Sequence, residues 1–187
     1  LVRRGDTTVV DAYLSPVLQP SPGSTHGYDV VNHDLVNEEA GGGTELARLS
    51  RTLSLYGLGV VVDVVPNHMT TPTPAWLNRQ WRSLLRDGRG SEYAHWFDVD
   101  WDTQQPLLLP VLGERIDQAL DAGLLEVDTA GNEPVLRYHD HEFPLRPGTE
   151  GLPIEQLVDA QHYRLAYWRV AAEELNYRRF FDVGTLA

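Results

Sequence analysis

Apolar positions along this chain follow first a strand-like and then a helix-like spacing. The run Val9-Val10-Asp11-Ala12-Tyr13-Leu14, closed by Ser15-Pro16, predicts a short buried strand. A turn-rich loop then runs through Pro20, Pro22 and Gly23 to Ser24-Thr25-His26-Gly27-Tyr28-Asp29. The glycines Gly41-Gly42-Gly43 lead to Thr44, the expected N-cap of a helix whose stripe is Leu46, Leu49, Leu53 and Tyr56. Gly57 stands where a helix C-terminus wants a left-handed residue. Gly59 opens a second strand, Val60-Val61-Val62-Asp63-Val64-Val65-Pro66, whose continuous β-branched run predicts burial on both faces in a parallel sheet. Strand, loop, helix, strand is one βαβ unit, so the fold class is α/β.

Between about Thr70 and Gly151 the texture changes, with most of the Trp residues and the turn signals Thr71-Pro72-Thr73-Pro74, Asp87-Gly88 and Gly131-Asn132. Leu107-Leu108-Leu109 and Val135 to Tyr138 are candidate short strands, and Asp117 to Leu125 a short helix ended near Gly123. A stretch this long is no ordinary βα loop and is expected to be an inserted small domain with its own core. Leu157, Gln161, Leu165, Trp168, Ala172 and Leu175 recur at steps of three and four, predicting one helix from Ile154 to Leu175 ended by Asn176-Tyr177. The expected organisation is therefore 1–69, a barrel portion; 70–152, the insertion; and 153–187, a helix returning towards the sheet.

Composition narrows the function. With 187 residues and 42% hydrophobic content the chain can bury a core of ordinary size. Fifteen basic against 27 acidic residues give a net charge of −12, which disfavours nucleic-acid and anionic-membrane partners. No apolar run approaches the roughly 18 residues of a membrane span, and the first residues lack a signal-peptide pattern, so a cytoplasmic location is expected. The absence of Cys removes disulfides, thiolate metal sites and cysteine nucleophiles. All 15 basic residues are Arg, most simply a codon bias. The only Met is Met69, and the chain is expected to be a segment of a longer protein.

Candidate chemistry gathers where parallel strands end. Asp63 interrupts the valines, and a carboxylate desolvated there needs a compensating cation or several donors. Nothing adjacent in sequence supplies one, so an Arg from a neighbouring strand is expected. Asn67 and His68 follow at the strand mouth. Near the end of the first strand, Gly27 permits close backbone approach, and Tyr28 offers a flat face and a hydroxyl of the kind that sugar rings use. His139-Asp140-His141-Glu142 has metal-ligand residue types but no third well-placed ligand, and a solvated strand or loop is the better reading.

These two elements, Gly27-Tyr28-Asp29 and Asp63-Val64-Val65-Pro66-Asn67-His68, resemble the α-amylase superfamily of glycoside hydrolases. The likeness narrows to its maltooligosyltrehalose synthase subfamily through several blocks. They include Tyr13-Leu14-Ser15-Pro16, Tyr93-Ala94-His95-Trp96-Phe97-Asp98-Val99-Asp100-Trp101 and Gln161-His162-Tyr163-Arg164-Leu165-Ala166-Tyr167-Trp168-Arg169 with its continuation to Asp182. The resemblance implies a partial (β/α)8 barrel holding its second and third strands with the helix between, and an inserted domain after the third strand. It implies a retaining mechanism in which a glucosyl-enzyme is intercepted by the released glucose, turning a reducing-end α-1,4 bond into an α,α-1,1 bond. The substrate implied is a maltooligosaccharide or glycogen-derived α-glucan, with His26, Tyr28, Asp63, Asn67 and His68 as substrate-binding residues. No nucleophile or acid motif falls within the chain; Arg178, Arg179 and Asp182 do not form one. No cofactor is implied, and calcium, which the matching Asn binds in many amylases, is not expected at Asn67. The resemblance implies that the guanidinium meeting Asp63 belongs to the family's fourth-strand motif, which this segment lacks, so Asp63 is expected here to be exposed or protonated, and the isolated segment to be inactive and poorly folded, its apolar faces uncovered. The alternatives are an α-amylase-type hydrolase and a noncatalytic α-glucan-binding segment using Trp76, Trp81, Trp96, Trp101 and Trp168, most of which are expected to pack the core of the insertion instead.

Overall fold

The structure, a computed structural model, describes residues 10–103, 105–171 and 176–177. The chain divides into two compact units that meet at Pro72 and Thr73.

In the first unit, strand β1 (Asp11–Leu14) is followed by an antiparallel pair, β2 (Leu18–Pro20) and β3 (Val30–Val36). Helix α1 (Gly42–Leu55) and strand β4 (Gly59–Val62) complete it. β1 and β4 pair in parallel, with Tyr13 opposite Val61 and Leu14 opposite Val62. This is the expected α/β element, here a two-stranded sheet with its helix and no closed barrel among the described residues. Val9, which the pattern assigns to the first strand, lies outside the described residues. The stretch expected to be a loop contains β2 and β3, whose register shifts make the pairing irregular and blur the two-residue alternation.

Helix α1 starts two residues before Thr44. Asn37 accepts the Glu39 N–H at 3.0 Å to cap a 3₁₀ turn, Glu38–Ala40, which runs through Gly41 (φ 97°) into the helix. Thr44 therefore lies within the helix and is not its N-cap. The C-terminus follows expectation. Gly57, at φ 70°, donates to the Ser54 carbonyl, and the Leu58 N–H reaches back to the Leu53 carbonyl, each at 3.0 Å. That pairing satisfies carbonyls the helix leaves open, as in a Schellman motif.

Burial in this unit departs from the strand pattern taken alone and agrees with the expectation of uncovered apolar faces in the isolated segment. The valine run is not covered on both faces: Val61 and Val64 are 48% and 63% exposed, and Tyr13 of β1 is 65% exposed. A sheet of two strands shields little on either face. The dense part lies beneath the β2–β3 pair, where Val30, Val31 and Val65 are buried.

The second unit has a dry core. Helix α2 (Arg79–Asp87), capped by the Asn78 side chain, inserts Trp81, Leu84 and Leu85. Strand β5 (Leu107–Leu112) is followed by α3 (Ile116–Asp121) and an antiparallel meander of β6 (Leu125–Asp128), β7 (Val135–Tyr138) and β8 (His141–Pro144). Leu136 and Phe143 carry the meander into the same core. The stretch expected to form one helix from 154 onward is instead α4 (Ile154–Asp159), strand β9 (Tyr163–Tyr167) and a short α5 (Trp168–Ala171). Positions Ala172 to Leu175 lie outside the described residues. β9 pairs in parallel with β5, burying Tyr163 and Leu165 while Arg164 faces out. A two-residue alternation of aromatic and branched residues beside a waiting strand overrides the helical spacing. Gln161 ends α4 by binding the Leu157 carbonyl at 2.7 Å and the Thr149 hydroxyl at 3.1 Å, and its own oxygen accepts the Arg146 N–H. The buried Tyr163 hydroxyl donates to the Pro144 carbonyl at 3.1 Å, and burial pushes its phenol far above the usual range.

Of the five Trp residues only Trp81 is buried, while Trp101 packs partly against the core. Trp76, Trp96 and Trp168 are more than half exposed, against the expectation that most would fill it. Short 3₁₀ turns, Ala75–Leu77 and Ala94–Trp96, leave two of them on the surface.

Leu84→Ala, which empties a fully buried position among Trp81, Leu85 and the strands, is expected to cost about 2–5 kcal/mol in chemical denaturation. Trp96→Ala, on the surface, is expected to change stability by less than ~0.5 kcal/mol.

Candidate active site

All five residues singled out from sequence lie in the first unit, and the chain brings them together. Register explains why Asp63 is reachable. Its N–H donates to the Leu14 carbonyl at 3.0 Å, prolonging the β1–β4 pairing by one step. The loop before β3 supplies the other side. Ser24 binds the Asp29 carboxylate at 2.5 Å and accepts the Gly27 N–H at 3.1 Å, folding the loop on itself. Gly27 sits at φ 79°, and a Cβ there would come within 2.9 Å of the Pro16 carbonyl oxygen, so no other residue fits the turn without movement.

This turn aims Tyr28 at Asp63, and its hydroxyl donates to Oδ2 at 2.7 Å. A second phenol, Tyr13, donates to the same oxygen at 2.7 Å. The Tyr28 carbonyl oxygen, which can only accept, lies 3.2 Å from His68 Nε2. His68 Nδ1 lies 3.0 Å from Asn67 Oδ1. On the near side His26 Nδ1 accepts the Tyr28 N–H at 3.1 Å, and its ring stacks on that of Tyr28 with centroids 6.0 Å apart. Below, the Val30 carbonyl holds Thr70 and the Val65 carbonyl accepts from His33, fixing both loops to the buried floor. One continuous network thus joins His26, Tyr28, Asp63, Asn67 and His68, with Tyr28 45% exposed.

Its electrostatics follow from the phenols. Hydrogen bonds from Tyr28 first and Tyr13 second hold the Asp63 carboxyl below its ordinary range, so it is ionised at neutral pH. The same bonds push both phenols upward, so both remain donors. Among the described residues the side-chain donors to Asp63 are two tyrosines and no guanidinium. Tyr13 is the member that sequence reasoning misses as a site residue. The available signal is its position on a strand parallel to the one that ends in Asp63, but register cannot be fixed until the pairing is known.

The His-Asp-His-Glu cluster sits elsewhere, in the second unit. His139 and Asp140 form the turn between β7 and β8, with His139 at φ 50°, so His139 and His141 do not share a strand face. His141 stacks on Phe143 and meets the Thr73 hydroxyl at 3.0 Å. No group of three ligating residues that could hold a metal is found among the described residues. No helix among them is long and apolar enough to cross a membrane.

A carboxyl whose folded pKa lies below its unfolded value, about 3.9 for Asp, stabilises the fold above that value and loses the contribution as pH falls through the folded one. Urea midpoints measured against pH are accordingly expected to fall less steeply below about pH 4 for Asp63→Asn than for the unsubstituted chain.

Comparison with known proteins fits this geometry. The α-amylase catalytic-domain model matches residues 6–114, which includes every residue of the network. A Mycobacterium tuberculosis protein assigned as a maltooligosyl trehalose synthase is 40% identical over 183 residues, 97% of this chain and 22% of its own length. The structure of maltooligosyltrehalose synthase from Arthrobacter ramosus aligns with a TM-score of 0.81 at 46% identity, covering 90% of this chain and 21% of that one. A further maltooligosyl trehalose synthase crystal structure aligns with a TM-score of 0.83 at 39% identity, covering 92% and 23%. The chain thus spans about a fifth of the length of the relatives it matches. With the family model matching more than half of its residues, the chain belongs to the α-amylase catalytic-domain family.

Proposed function

We propose that this chain is the part of a maltooligosyltrehalose synthase that grips the glucosyl unit undergoing transfer. The reaction moves the reducing-end α-1,4 bond of a maltooligosaccharide, or of a glycogen-derived α-glucan, to an α,α-1,1 bond. One carboxylate attacks the anomeric carbon while a carboxylic acid protonates the departing oxygen. The 1-hydroxyl of the released glucose then attacks the glucosyl-enzyme, restoring the carboxylate, and gives its proton to the group that had acted as acid.

The residues of the network do neither of those steps. Tyr28 offers the sugar a half-exposed aromatic face, against which the C–H edges of a pyranose pack. Asp63 presents an ionised acceptor, and a charge-assisted bond to a sugar hydroxyl is among the stronger neutral-to-ion contacts. His68, Asn67 and His26 fix the Tyr28 backbone and ring, so their contribution is orientation as well as contact. Holding the glucose in place beside the intermediate, and keeping water from it, is what separates this outcome from hydrolysis.

The observation that carries this reading is the single Tyr28–Asp63–His68 network in a chain 46% identical to a synthase of known structure. Maltopentaose titrated into the chain and followed by calorimetry or ligand-observed NMR is expected to bind. Tyr28→Ala and Asp63→Asn are each expected to weaken that binding by about tenfold, the effect of ~1.4 kcal/mol. Incubation of the chain with maltopentaose is expected to leave the reducing ends intact, and loss of reducing ends would overturn the assignment of these residues to binding alone.

A further inference from the structure

Asp63 offers two oxygens, yet both phenols donate to one of them, at 2.7 Å each. From this convergence we propose that Tyr13 is a positioning residue. With Tyr28 it clamps Asp63 Oδ2 and sets the rotation of the carboxylate, beside the backbone N–H of Val64 that also bonds it.

Strand geometry makes the contact a product of register. Tyr13 stands opposite Val61 in the parallel pair, and side chains alternate faces, so Tyr13, Val61 and Asp63 share one face of the sheet. Asp63 lies two residues beyond Val61, about 6.6 Å along the strand, which is within the reach of a tyrosine hydroxyl. Tyr28 arrives from the other direction, on the Gly27 turn. Two donors from separate elements leave the carboxylate little freedom to rotate, and 2.7 Å is the spacing of charge-assisted O–H···O⁻ bonds.

Exposure supports the assignment. The Tyr13 residue is 65% exposed, so burial of its ring explains little of its placement. What fixes its outer end is the bond to Asp63. The same bonds, with the Val64 N–H, hold the Asp63 carboxyl below its ordinary range and push the Tyr13 phenol up in return. The role deepens the sugar-binding reading of Asp63 and rests on it only where ligand is concerned.

The test is a carboxyl-carbon NMR titration of Asp63 in the unliganded chain, in unsubstituted, Tyr13→Phe, Tyr28→Phe and doubly substituted forms. Each single change is expected to move the Asp63 midpoint upward, and the double change to move it further. A midpoint that Tyr13→Phe leaves in place overturns the proposal. A second measurement does not depend on how Tyr13→Phe folds: Asp63→Asn is expected to lower the midpoint of the Tyr13 phenol, and a phenol indifferent to that change overturns the proposal too. Maltopentaose affinity is expected to fall roughly threefold to tenfold in Tyr13→Phe. Shifted titrations with unchanged affinity would uphold Tyr13 as positioning Asp63 and count instead against Asp63 as a sugar contact.

Discussion

One ionised carboxylate ties the first unit together at its functional end. Asp63 accepts from residues 50 and 35 positions earlier in the chain, and each bond requires a different piece of backbone to be correct. The Tyr13 bond demands the parallel register of β1 and β4. The Tyr28 bond demands the left-handed turn at Gly27 and the Ser24–Asp29 clasp behind it. Removing the charge would relax both demands at once, which is why an acid stands where the surrounding sequence is valine. Its cost in desolvation is limited because the site is half open and both donors are polar hydroxyls.

Much of this arrangement is legible in the amino-acid sequence. The βαβ element, the left-handed helix end at Gly57 and the nearness of Tyr28 to the Asp63–His68 stretch follow from spacing, glycine placement and strand-end logic. The parts that are not legible share a cause, because each depends on a partner distant in sequence. Tyr163 to Tyr167 carries a helical spacing, but β5 lies beside it and pairing wins. The N-terminus of α1 is set by Asn37 several residues upstream rather than by Thr44. The donors to Asp63 are phenols because an exposed tyrosine on β1 stands in the right register, which no local pattern announces. The surface positions of Trp76 and Trp96 depend on short 3₁₀ turns that periodicity does not resolve.

The two units differ in how their apolar surface is used. The second closes a core of Leu84, Leu107, Leu112, Leu136, Leu157 and Tyr163, all nearly inaccessible to solvent. The first leaves Val61, Val64, Leu55 and Tyr56 substantially open. Stability of the second unit is therefore set by packing, whereas that of the first leans more on turns, caps and the Asp63 bonds. Substitutions in the two should show different signatures, with cavity effects in one and pH sensitivity in the other.

The open valine run has one more consequence. Val60 to Val64 is the kind of segment that pairs with its own copy in a neighbouring molecule, being β-branched, apolar and solvent-accessible. An anion within it acts as a gatekeeper, because stacking the same stretch from two molecules would bring like charges together. By keeping Asp63 ionised, the two tyrosines that donate to it also keep a negative charge within that valine stretch, a charge that is lost in acid.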